Sequence, residues 1–374
     1  MDTFDFILED TTLRDGEQSP GVAFSKEDKI AIHDALIEAG VRWMEIGIPA
    51  MGGQELETIK TLLSRGSPAT LIGWNRGVEE DVKQSLDLGF KAIHIGLPTS
   101  NIHLKDSLNK DRTWLLQRSA DLVKLGKDRG AFVSISAEDV GRSELAFLQE
   151  YAVHVQNAGA DRLRLSDTIG ILTPEKYAHI IREIKQVATI DLQCHTHNDF
   201  GLATANTIAG LLAGARYFHV TVNGIGERAG MPDLAQIVMT MKHLYKIPLG
   251  IDTKKLKEIS ALVQKASHSK CPPWTPIIGD NIFSHESGIH VKGTIKNNTT
   301  FEPFAPEEVL GTRKIVIGKH SGSAAINFVL QNHGIEANQN ELMRCLARIR
   351  DFSMNNGRSL SDDEVLTIYN QPSS

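Results

Sequence analysis

The sequence predicts an α/β protein: a (β/α)8 TIM barrel followed by a small carboxyl-terminal appended region that is α+β or helical. Eight short, β-rich apolar runs recur along the first part of the chain, and segments with helical periodicity separate them. Eight such units over roughly 250 residues are typical of this barrel. A doubly wound open sheet is the alternative, and it is disfavoured because no GxGxxG motif follows the first run.

The runs are spaced as the strands of a barrel would be. Helical segments such as KEDKIAIHDALIEAG lie between them, and the glycine that ends this one is a helix stop. The eight runs, with the number of their first residue, are FDFILED at 4, VRWMEIGIP at 41, ATLIGWN at 69, KAIHIGLP at 91, AFVSISAED at 131, ADRLRLSD at 160, IDLQCHTH at 190 and RYFHVTVNG at 216.

The pattern changes beyond the eighth unit, so we expect the catalytic barrel to occupy residues 1–265. Residues 266–322 are rich in proline, glycine and histidine and are interpreted as an extended subdomain. Residues 323–374 contain three helical patterns and are expected to form a helical subdomain. Because 266–322 looks too irregular to fold alone, we expect it to pack on a barrel or on a partner chain.

Composition excludes several classes of function. The formal net charge is −6 and no basic block occurs, so no nucleic-acid partner is expected. Three cysteines without a CxxC motif argue against a disulfide framework and a structural zinc site. The acidic amino terminus does not resemble a signal peptide, and no apolar stretch approaches the roughly 20 residues that cross a bilayer. We therefore expect a cytoplasmic protein without a membrane partner.

Two histidines at the end of the seventh run predict a metal site. His195 and His197 in CHTHND are two residues apart, so on a strand both side chains project to one face. Asp15, in TTLRDGEQ after the first run, lies two strands away round a closed barrel. An aspartate with two imidazoles is a ligand set for a divalent cation such as Mg²⁺, Mn²⁺ or Zn²⁺. His94 and His219 are interpreted as structural histidines.

Other strand ends supply groups suited to a small 2-oxo acid. The guanidinium groups of Arg14 and Arg76 suit bidentate binding of a carboxylate, and a bound metal would polarise the ketone. Arg228 is interpreted as a structural ion pair with Glu227. The further candidates at the strand ends are Gln18, Ser136, Glu138, Asp139, Asp167, Thr168 and Asn223. When TTLRDGEQ is considered by itself, the alternative to a functional segment is a solvent-exposed turn whose charges have no binding role.

Taken as a set, these motifs resemble the Claisen-condensing alkylmalate synthase family, which includes 2-isopropylmalate, citramalate and homocitrate synthases. Within the family the chain is most similar to the short homocitrate synthases that serve nitrogenase cofactor assembly and nitrogen fixation. The motifs that carry the resemblance are DTTLRDGEQSPGVAFSKEDKIAI, MEIGIPAMG, CHTHNDFGLATANT, VTVNGIGERAG, FSHESGIHVKG and GKHSG, with LIGWNR, CPPWTPIIGDNIFSHESGIH and FEPFAPEEV as cues to the homocitrate type.

The resemblance implies an acyltransferase that condenses acetyl-CoA, as cosubstrate, with 2-oxoglutarate and releases homocitrate and CoA. It implies that the metal site of Asp15, His195 and His197 lies beside a 2-oxo acid held by Arg14, Gln18 and Thr168. It implies that Glu138 and His290 together deprotonate the acetyl methyl group, with His290 supplied by the other subunit of a domain-swapped homodimer. The alternative is a related synthase that uses 2-oxoisovalerate, pyruvate or a phosphonate analogue.

Three positions depart from the family pattern and leave the 2-oxo acid open. Met231 stands where related enzymes often carry a metal-site asparagine, and Phe301 stands where a tyrosine is expected. Ser134 stands where lysine-pathway homocitrate synthases have an arginine. Native metal and feedback inhibition are also open.

Three functions of other classes are less favoured. A retro-aldol lyase of the same barrel would need a catalytic cysteine in a glycine-rich loop, and Cys271 lacks that setting. IGKHSG at 317–322 fails the phosphate-loop spacing, which argues against a nucleotide triphosphatase. A non-catalytic binding protein would hold no divalent ion.

Overall fold

Eight parallel strands close into a barrel in the computed structural model, which describes residues 5–371. They pair in the order β1 to β8, and β1 pairs with β8. Seven strands lie within their predicted runs and β3 ends one residue beyond its run, at Arg76, so the predicted TIM barrel is confirmed. Phe4 of the first run lies outside the described residues. The strands are β1 Ile7–Asp10, β2 Trp43–Gly47, β3 Thr70–Arg76, β4 Ala92–Gly96, β5 Phe132–Glu138, β6 Arg162–Asp167, β7 Asp191–Thr196 and β8 Tyr217–Val220.

Helices follow the strands and cover the outside of the barrel. The first of them begins with a capping box between Ser25 and Asp28 and buries Ile32 and Leu36. Gly40 ends it with φ of 106°, a backbone conformation in which glycine is favoured. The barrel helices are α1 Lys26–Glu38, α2 Gly53–Ser64, α3 Glu79–Asp87, α4 Arg112–Asp128, α5 Leu145–Asn157, α6 Pro174–Val187, α7 Ala203–Leu212, α8 Leu234–His243 and α9 Leu256–Ala266.

The barrel interior contains a layer of buried charges. Glu9 pairs with Arg162 and Arg164 at 2.6 and 3.2 Å, and Arg164 also pairs with Glu45 at 2.8 Å. Burial by itself raises the pKa of Glu9, but Arg162 and His219 outweigh it and lower the pKa to about 2. A buried charge is tolerated when it is paired in this way. This ionic layer supports the side chains at the carboxyl ends of the strands.

The chain forms two compact units, the second beginning at Cys271. In the second unit a two-stranded parallel sheet joins β9 Ser284–His285 to β10 Lys314–Ile315. The three predicted carboxyl-terminal helices are present, and their buried faces form a core of their own. The helices of this unit are α10 Gly288–Lys296, α11 Ser323–Asn332, α12 Gln339–Asn356 and α13 Asp362–Asn370.

One expectation for the second unit is wrong. Residues 266–322 are not extended throughout, since α10 occupies SGIHVKGTIK from Gly288 onward. Two glycines lower the intrinsic helix propensity of this segment, so its sequence does not predict a helix. Burial of Val291 and Thr294 on one face supports the helix despite them. In residues 5–371, no helix combines the length and apolar character needed to cross a bilayer.

Candidate active site

A cavity of about 180 Å³ opens at the carboxyl ends of the barrel strands. It brings together most of the predicted site residues: the three predicted metal ligands, Arg14, Gln18, Glu138 and Thr168. Trp74, His94 and Arg164 from neighbouring strands complete one side. The full lining is Arg14, Asp15, Gln18, Trp74, His94, Glu138, Arg164, Ser166, Thr168, His195, His197, Glu227 and Arg228.

The predicted metal ligands converge at this cavity. His195 Nε2 lies 3.3 Å from His197 Nε2 and 3.5 Å from Asp15 Oδ2. All three side chains are buried, and Asp15 Oδ1 has no hydrogen-bond partner among the described residues. Two imidazole nitrogens that face each other beside a carboxylate need a shared cation or proton between them. The donor set therefore fits a divalent cation.

A chain of hydrogen bonds behind His195 fixes the ring. His219 Nε2 lies 2.6 Å from Glu9 Oε1, and His219 Nδ1 lies 2.8 Å from His195 Nδ1. Because the Glu9 carboxylate only accepts, His219 donates through Nε2 and accepts at Nδ1. His195 then carries its proton on Nδ1 and directs the lone pair of Nε2 at the cavity. Burial, followed by His219 and His197, lowers the pKa of His195 well below its usual value, which favours this neutral ring.

Arg14 is held rigidly at the cavity edge. Its Nε donates to Glu45, and its Nη1 donates to Asp15 Oδ2 at 2.8 Å and to Gln18 Oε1 at 3.3 Å. Its guanidinium carbon lies 5.7 Å from the centre of the Trp74 ring. A guanidinium fixed by several partners is preorganised for an anionic ligand.

Glu138 is the buried carboxyl group suited to act as a base. Burial raises its pKa above the usual value, although the hydrogen bond from Ser136 and the charge of Arg14 oppose the rise. Ser136 Oγ lies 3.3 Å from Glu138 Oε1 and accepts from the Leu97 N–H at 3.0 Å. A carboxylate with a raised pKa is a stronger base, as proton abstraction requires. Ser136 thus lies behind Glu138 and does not line the cavity.

Thr168 is placed by the loop that follows β5. Its Oγ1 accepts the backbone N–H of Asp139 at 2.8 Å, and Asp139 has φ of 63°, which is unusual for a residue other than glycine. Asp139 is itself paired with Arg142. Asp167 accepts the N–H groups of the loop after β6. Asp139 and Asp167 are therefore structural supports.

Arg76 is not brought to the metal cavity. It donates to both carboxylate oxygens of Asp81, at 2.7 and 2.9 Å, on α3. Its side chain lines a second, larger cavity of about 640 Å³ that also includes Trp114 and Arg118. Trp74 and Glu138 line both cavities. We predicted that the Arg76 guanidinium binds substrate, but it is bound by the carboxylate of Asp81, five residues further along the chain.

Two further interpretations need correction. Arg228 is ion-paired, but with Asp199 at 2.8 Å instead of the adjacent Glu227, because φ of 54° at Arg228 turns the loop. His219 has partners on both ring nitrogens, as a structural histidine would. His94 does not: its Nδ1 contacts Ser134 Oγ at 2.9 Å, while the buried Nε2 has no partner among the described residues and the ring lines the cavity. The sequence did contain one signal for this role of His94: it is a polar residue between the apolar strand residues Ile93 and Ile95.

His290 belongs to the second unit. Its ring is exposed and stacks on Phe301, with the ring centres 4.1 Å apart. His285 lies at 6.2 Å, edge to face. The predicted catalytic histidine is thus packed against the phenylalanine that replaces the expected tyrosine.

The fold and the cavity together define a TIM-barrel enzyme. The HMGL-like family model matches residues 5–263, and the model described as "Homocitrate synthase post-HMGL domain-like" matches residues 277–356. The chain belongs to the HMGL-like family and, within it, to the acyltransferase-type synthases of the homocitrate and 2-isopropylmalate group. An HMG-CoA lyase from Bacillus subtilis has the same barrel fold, with a TM-score of 0.65 and 17% identity over 72% of this chain and 96% of that one.

Relatives within the group differ in their named products. The chain is 59% identical over 367 residues to the 2-phosphonomethylmalate synthase of Streptomyces rubellomurinus, covering 98% of each protein. It is 42% identical over 365 residues to homocitrate synthase 1 of a Nostoc species, covering 98% of this chain and 97% of that one. The family resemblance is confirmed, whereas membership of the nitrogen-fixation subgroup stays a prediction.

Proposed function

We propose that this enzyme transfers the acetyl group of acetyl-CoA to an anionic 2-oxo acid, with 3-phosphonopyruvate as the preferred acceptor. The named product of the 59% identical relative supports this choice. Removing one acetate unit from 2-phosphonomethylmalate leaves a 2-oxo acid with a phosphonate on C3. The observation that carries the proposal is the convergence of Asp15, His195 and His197 beside Arg14 and Glu138 in one cavity.

Asp15, His195 and His197 would hold the divalent cation. When bound, the cation supplies Lewis-acid polarisation of the ketone and charge for the alkoxide that develops on carbon–carbon bond formation. Asp15 Oδ1, which has no hydrogen-bond partner in the part of the chain that the structure describes, and the facing imidazole nitrogens support this role. Arg14 would bind the C1 carboxylate, and Gln18 and Thr168 would orient the acid beside it.

Glu138 would act on the acetyl group. Its carboxylate takes a proton from the thioester methyl group, and the resulting enolate carbon attacks the ketone carbon of the 2-oxo acid. His290 of a partner subunit would share this proton transfer in a domain-swapped homodimer, as the family resemblance implies. Water then adds to the thioester carbonyl, the carbon–sulfur bond breaks, and CoA leaves as the thiol.

Condensation with 2-oxoglutarate to give homocitrate is the second candidate. Identity of 42% with a homocitrate synthase over nearly the whole chain favours it. Both acceptors carry an anionic group at the end away from the ketone. They differ in the length of the arm and in the shape of that group.

A panel of 2-oxo acids tests the proposal. Purified enzyme with Mg²⁺ or Mn²⁺ is incubated with acetyl-CoA and either 3-phosphonopyruvate, 2-oxoglutarate, 2-oxoisovalerate or pyruvate, and free thiol is followed. We expect the highest kcat/KM with 3-phosphonopyruvate, and no thiol release after chelation of the metal. A higher kcat/KM with 2-oxoglutarate would select the second candidate. A preference for 2-oxoisovalerate or pyruvate would refute both.

A further inference from the structure

Arg228 joins three of the loops that surround the metal cavity. Its Nε and Nη2 atoms donate to the two carboxylate oxygens of Asp199 at 2.8 and 3.0 Å, and Nη2 also donates to the backbone carbonyl of Thr168 at 2.6 Å. Arg228 lies in the loop after β8, Asp199 in the loop after β7 and Thr168 in the loop after β6. We refer to these three hydrogen bonds as the Arg228 clasp.

The loops joined by the clasp carry residues that we propose to bind ligands. Asp199 lies two residues after His197, one of the proposed metal ligands, and Thr168 is proposed to orient the 2-oxo acid. The side chains of Thr168, His197 and Arg228 all line the same cavity. The clasp therefore determines how far a metal ligand lies from a residue that would contact the substrate.

The loops after β6 and β7 pack closely where the clasp holds them. Gly170 has φ of 60°, and a Cβ atom at this position would lie 2.6 Å from Asp199 Oδ2 and 2.9 Å from the carbonyl oxygen of His197. Only glycine leaves room for this approach. On the other side, the Asn198 N–H donates to the Gly230 carbonyl at 3.0 Å and joins the loop after β7 to the loop after β8. The position of Asp199 is thus fixed from both neighbouring loops.

Arg228 adopts a backbone conformation that is unfavourable for its residue type. Its φ is 54°, in the left-handed region that glycine and asparagine tolerate better than arginine does. Such strain persists where surrounding contacts determine the conformation, and it is concentrated at functional sites. The ion pair adds little stability in return, because the Arg228 side chain is 38% exposed and exposed pairs contribute little. A functional requirement on the loop geometry explains an arginine at this position better than stability does.

We propose that Arg228 is a positioning residue, which through its clasp holds His197 and Thr168 in the arrangement that binds the cation and the 2-oxo acid. The inference rests on the proposed function, since it assigns a supporting residue to the same site. Two other roles make different predictions. An ion pair without function would influence the binding of neither ligand. A direct contact with the 2-oxo acid would influence binding of that acid, but not binding of the metal in its absence.

Four variants separate these roles. Arg228→Asn removes the clasp and suits the left-handed backbone, so it is expected to fold. Arg228→Lys keeps the charge, but an ammonium group cannot reproduce the forked contact. Asp199→Asn replaces the charged partner, and the double variant Arg228→Asn/Asp199→Asn restores the wild-type net charge. Lys246→Asn is the matched control, because Lys246 is an exposed cation with φ of 60° in the loop between α8 and α9, outside the cavity.

The experiment is calorimetric titration of metal-free protein with Mn²⁺ in the absence of substrates, followed by kinetics with acetyl-CoA and 3-phosphonopyruvate. We expect Arg228→Asn to weaken Mn²⁺ binding about 10- to 100-fold and to raise KM for the 2-oxo acid more than it lowers kcat at saturating Mn²⁺. Loss of a positive charge beside a cation site would by itself strengthen Mn²⁺ binding, so weaker binding reports the geometry. Arg228→Lys should recover part of the loss, and Lys246→Asn should match wild type.

The double variant and thermal melts complete the test. Because the clasp can be lost only once, the double variant should lose less Mn²⁺ affinity than the product of the two single losses. The melting temperature of Arg228→Asn should equal or exceed that of wild type, since asparagine suits the backbone at this position.

The outcomes separate this inference from the proposed function. Wild-type Mn²⁺ affinity in a folded Arg228→Asn variant overturns the positioning role, whether or not KM changes. If Arg228→Asn does not fold, Arg228→Lys decides, because it must bind Mn²⁺ more weakly than wild type does. A wild-type protein whose Mn²⁺ affinity depends on Arg228, but which releases no thiol from acetyl-CoA with any 2-oxo acid, would refute the proposed function and leave the role of Arg228 standing.

Discussion

His219 connects the buried carboxylate of Glu9 to the candidate metal ligand His195. Its two ring nitrogens lie 2.6 Å from Glu9 Oε1 and 2.8 Å from His195 Nδ1. Glu9 and His219 are also register partners between β1 and β8, so the closure of the barrel builds this contact. A carboxylate behind a metal-binding histidine fixes the ring orientation and raises its basicity.

Replacing His219 is predicted to weaken metal binding. His219→Phe keeps an aromatic ring of similar size but removes the acceptor for His195 Nδ1. We expect the affinity for Mn²⁺ or Zn²⁺ to fall about 10- to 100-fold, the usual effect of losing such a supporting partner. Titration of metal-free protein measures it, with His33→Phe as the control. Unchanged affinity in a folded His219→Phe variant would mean that the hydrogen-bond chain does not tune the ligand.

Replacing Glu138 is predicted to remove the base. Glu138→Gln retains the shape and can still contact Ser136, but its amide takes up no proton. We expect kcat to fall about 10²- to 10⁴-fold, with a small change in KM for the 2-oxo acid. Exchange of acetyl methyl protons with deuterated water must fall in parallel. Glu144→Gln, an exposed carboxyl on the loop after β5, is the control; a Glu138→Gln enzyme with near wild-type exchange would show that another group is the base.

Asp10 is predicted to make stability depend on pH. Burial raises its pKa to about 7, against 3.8 as the usual value, despite hydrogen bonds from Thr12. The folded protein therefore holds this proton more tightly than the unfolded chain, and the stabilisation present at low pH is lost as pH rises toward 7. Between pH 5 and 8 the free energy of unfolding attributable to Asp10 falls by about 2–3 kcal/mol.

Asp10→Asn removes this titration and provides the test. The side chain keeps an acceptor for the Thr12 N–H and stays neutral at every pH. Urea unfolding at pH 5, 6, 7 and 8 gives the free-energy difference between variant and wild type. We expect the difference to shift in favour of the variant as pH rises and to level off above pH 7. A difference that is constant with pH would contradict the assignment.

Pairs of inactive variants test the proposed contribution of His290 from a partner subunit. Asp15→Asn and His290→Ala each disable the site, but a mixed dimer rebuilds one intact site from two chains. Co-expression in equal amounts should restore about a quarter of wild-type activity if subunits associate at random. Asp15→Asn with Glu138→Gln is the control, because both changes lie in the barrel and no intact site can form. Restoration by neither pair would contradict a contribution from the partner subunit and would mean that His290 acts, if at all, within its own chain.

Sequence patterns were sufficient for the barrel and for the convergence of the three predicted metal ligands at one cavity. Short, β-rich apolar runs between helical segments locate the strands, and the parallel arrangement gathers the ends of β1, β5 and β7. Asp15, His195 and Glu138 could therefore be assigned to one cavity at the carboxyl ends of the barrel strands. The sequence pattern does not predict which neighbouring residue binds a given side chain, because that depends on the path of the loop.

Arg76 and His94 illustrate that limit in opposite directions. Arg76 is the last residue of β3, where a substrate ligand could lie, but Asp81 in the first turn of α3 binds it. His94 was interpreted as a structural histidine, yet among residues 5–371 the only hydrogen-bond partner of its ring is Ser134 on the adjacent strand, and the other ring nitrogen faces the cavity. Both outcomes depend on cross-strand and loop neighbours that sequence spacing does not reveal.

The central claim is that Asp15, His195 and His197 hold the cation at which the 2-oxo acid reacts. Anomalous diffraction at the manganese edge, from crystals of active enzyme grown with Mn²⁺, tests it directly. We predict a peak within coordination distance of all three side chains at once. Crystals that bind Mn²⁺ only elsewhere, from a preparation that condenses acetyl-CoA with a 2-oxo acid in the same buffer, would contradict it.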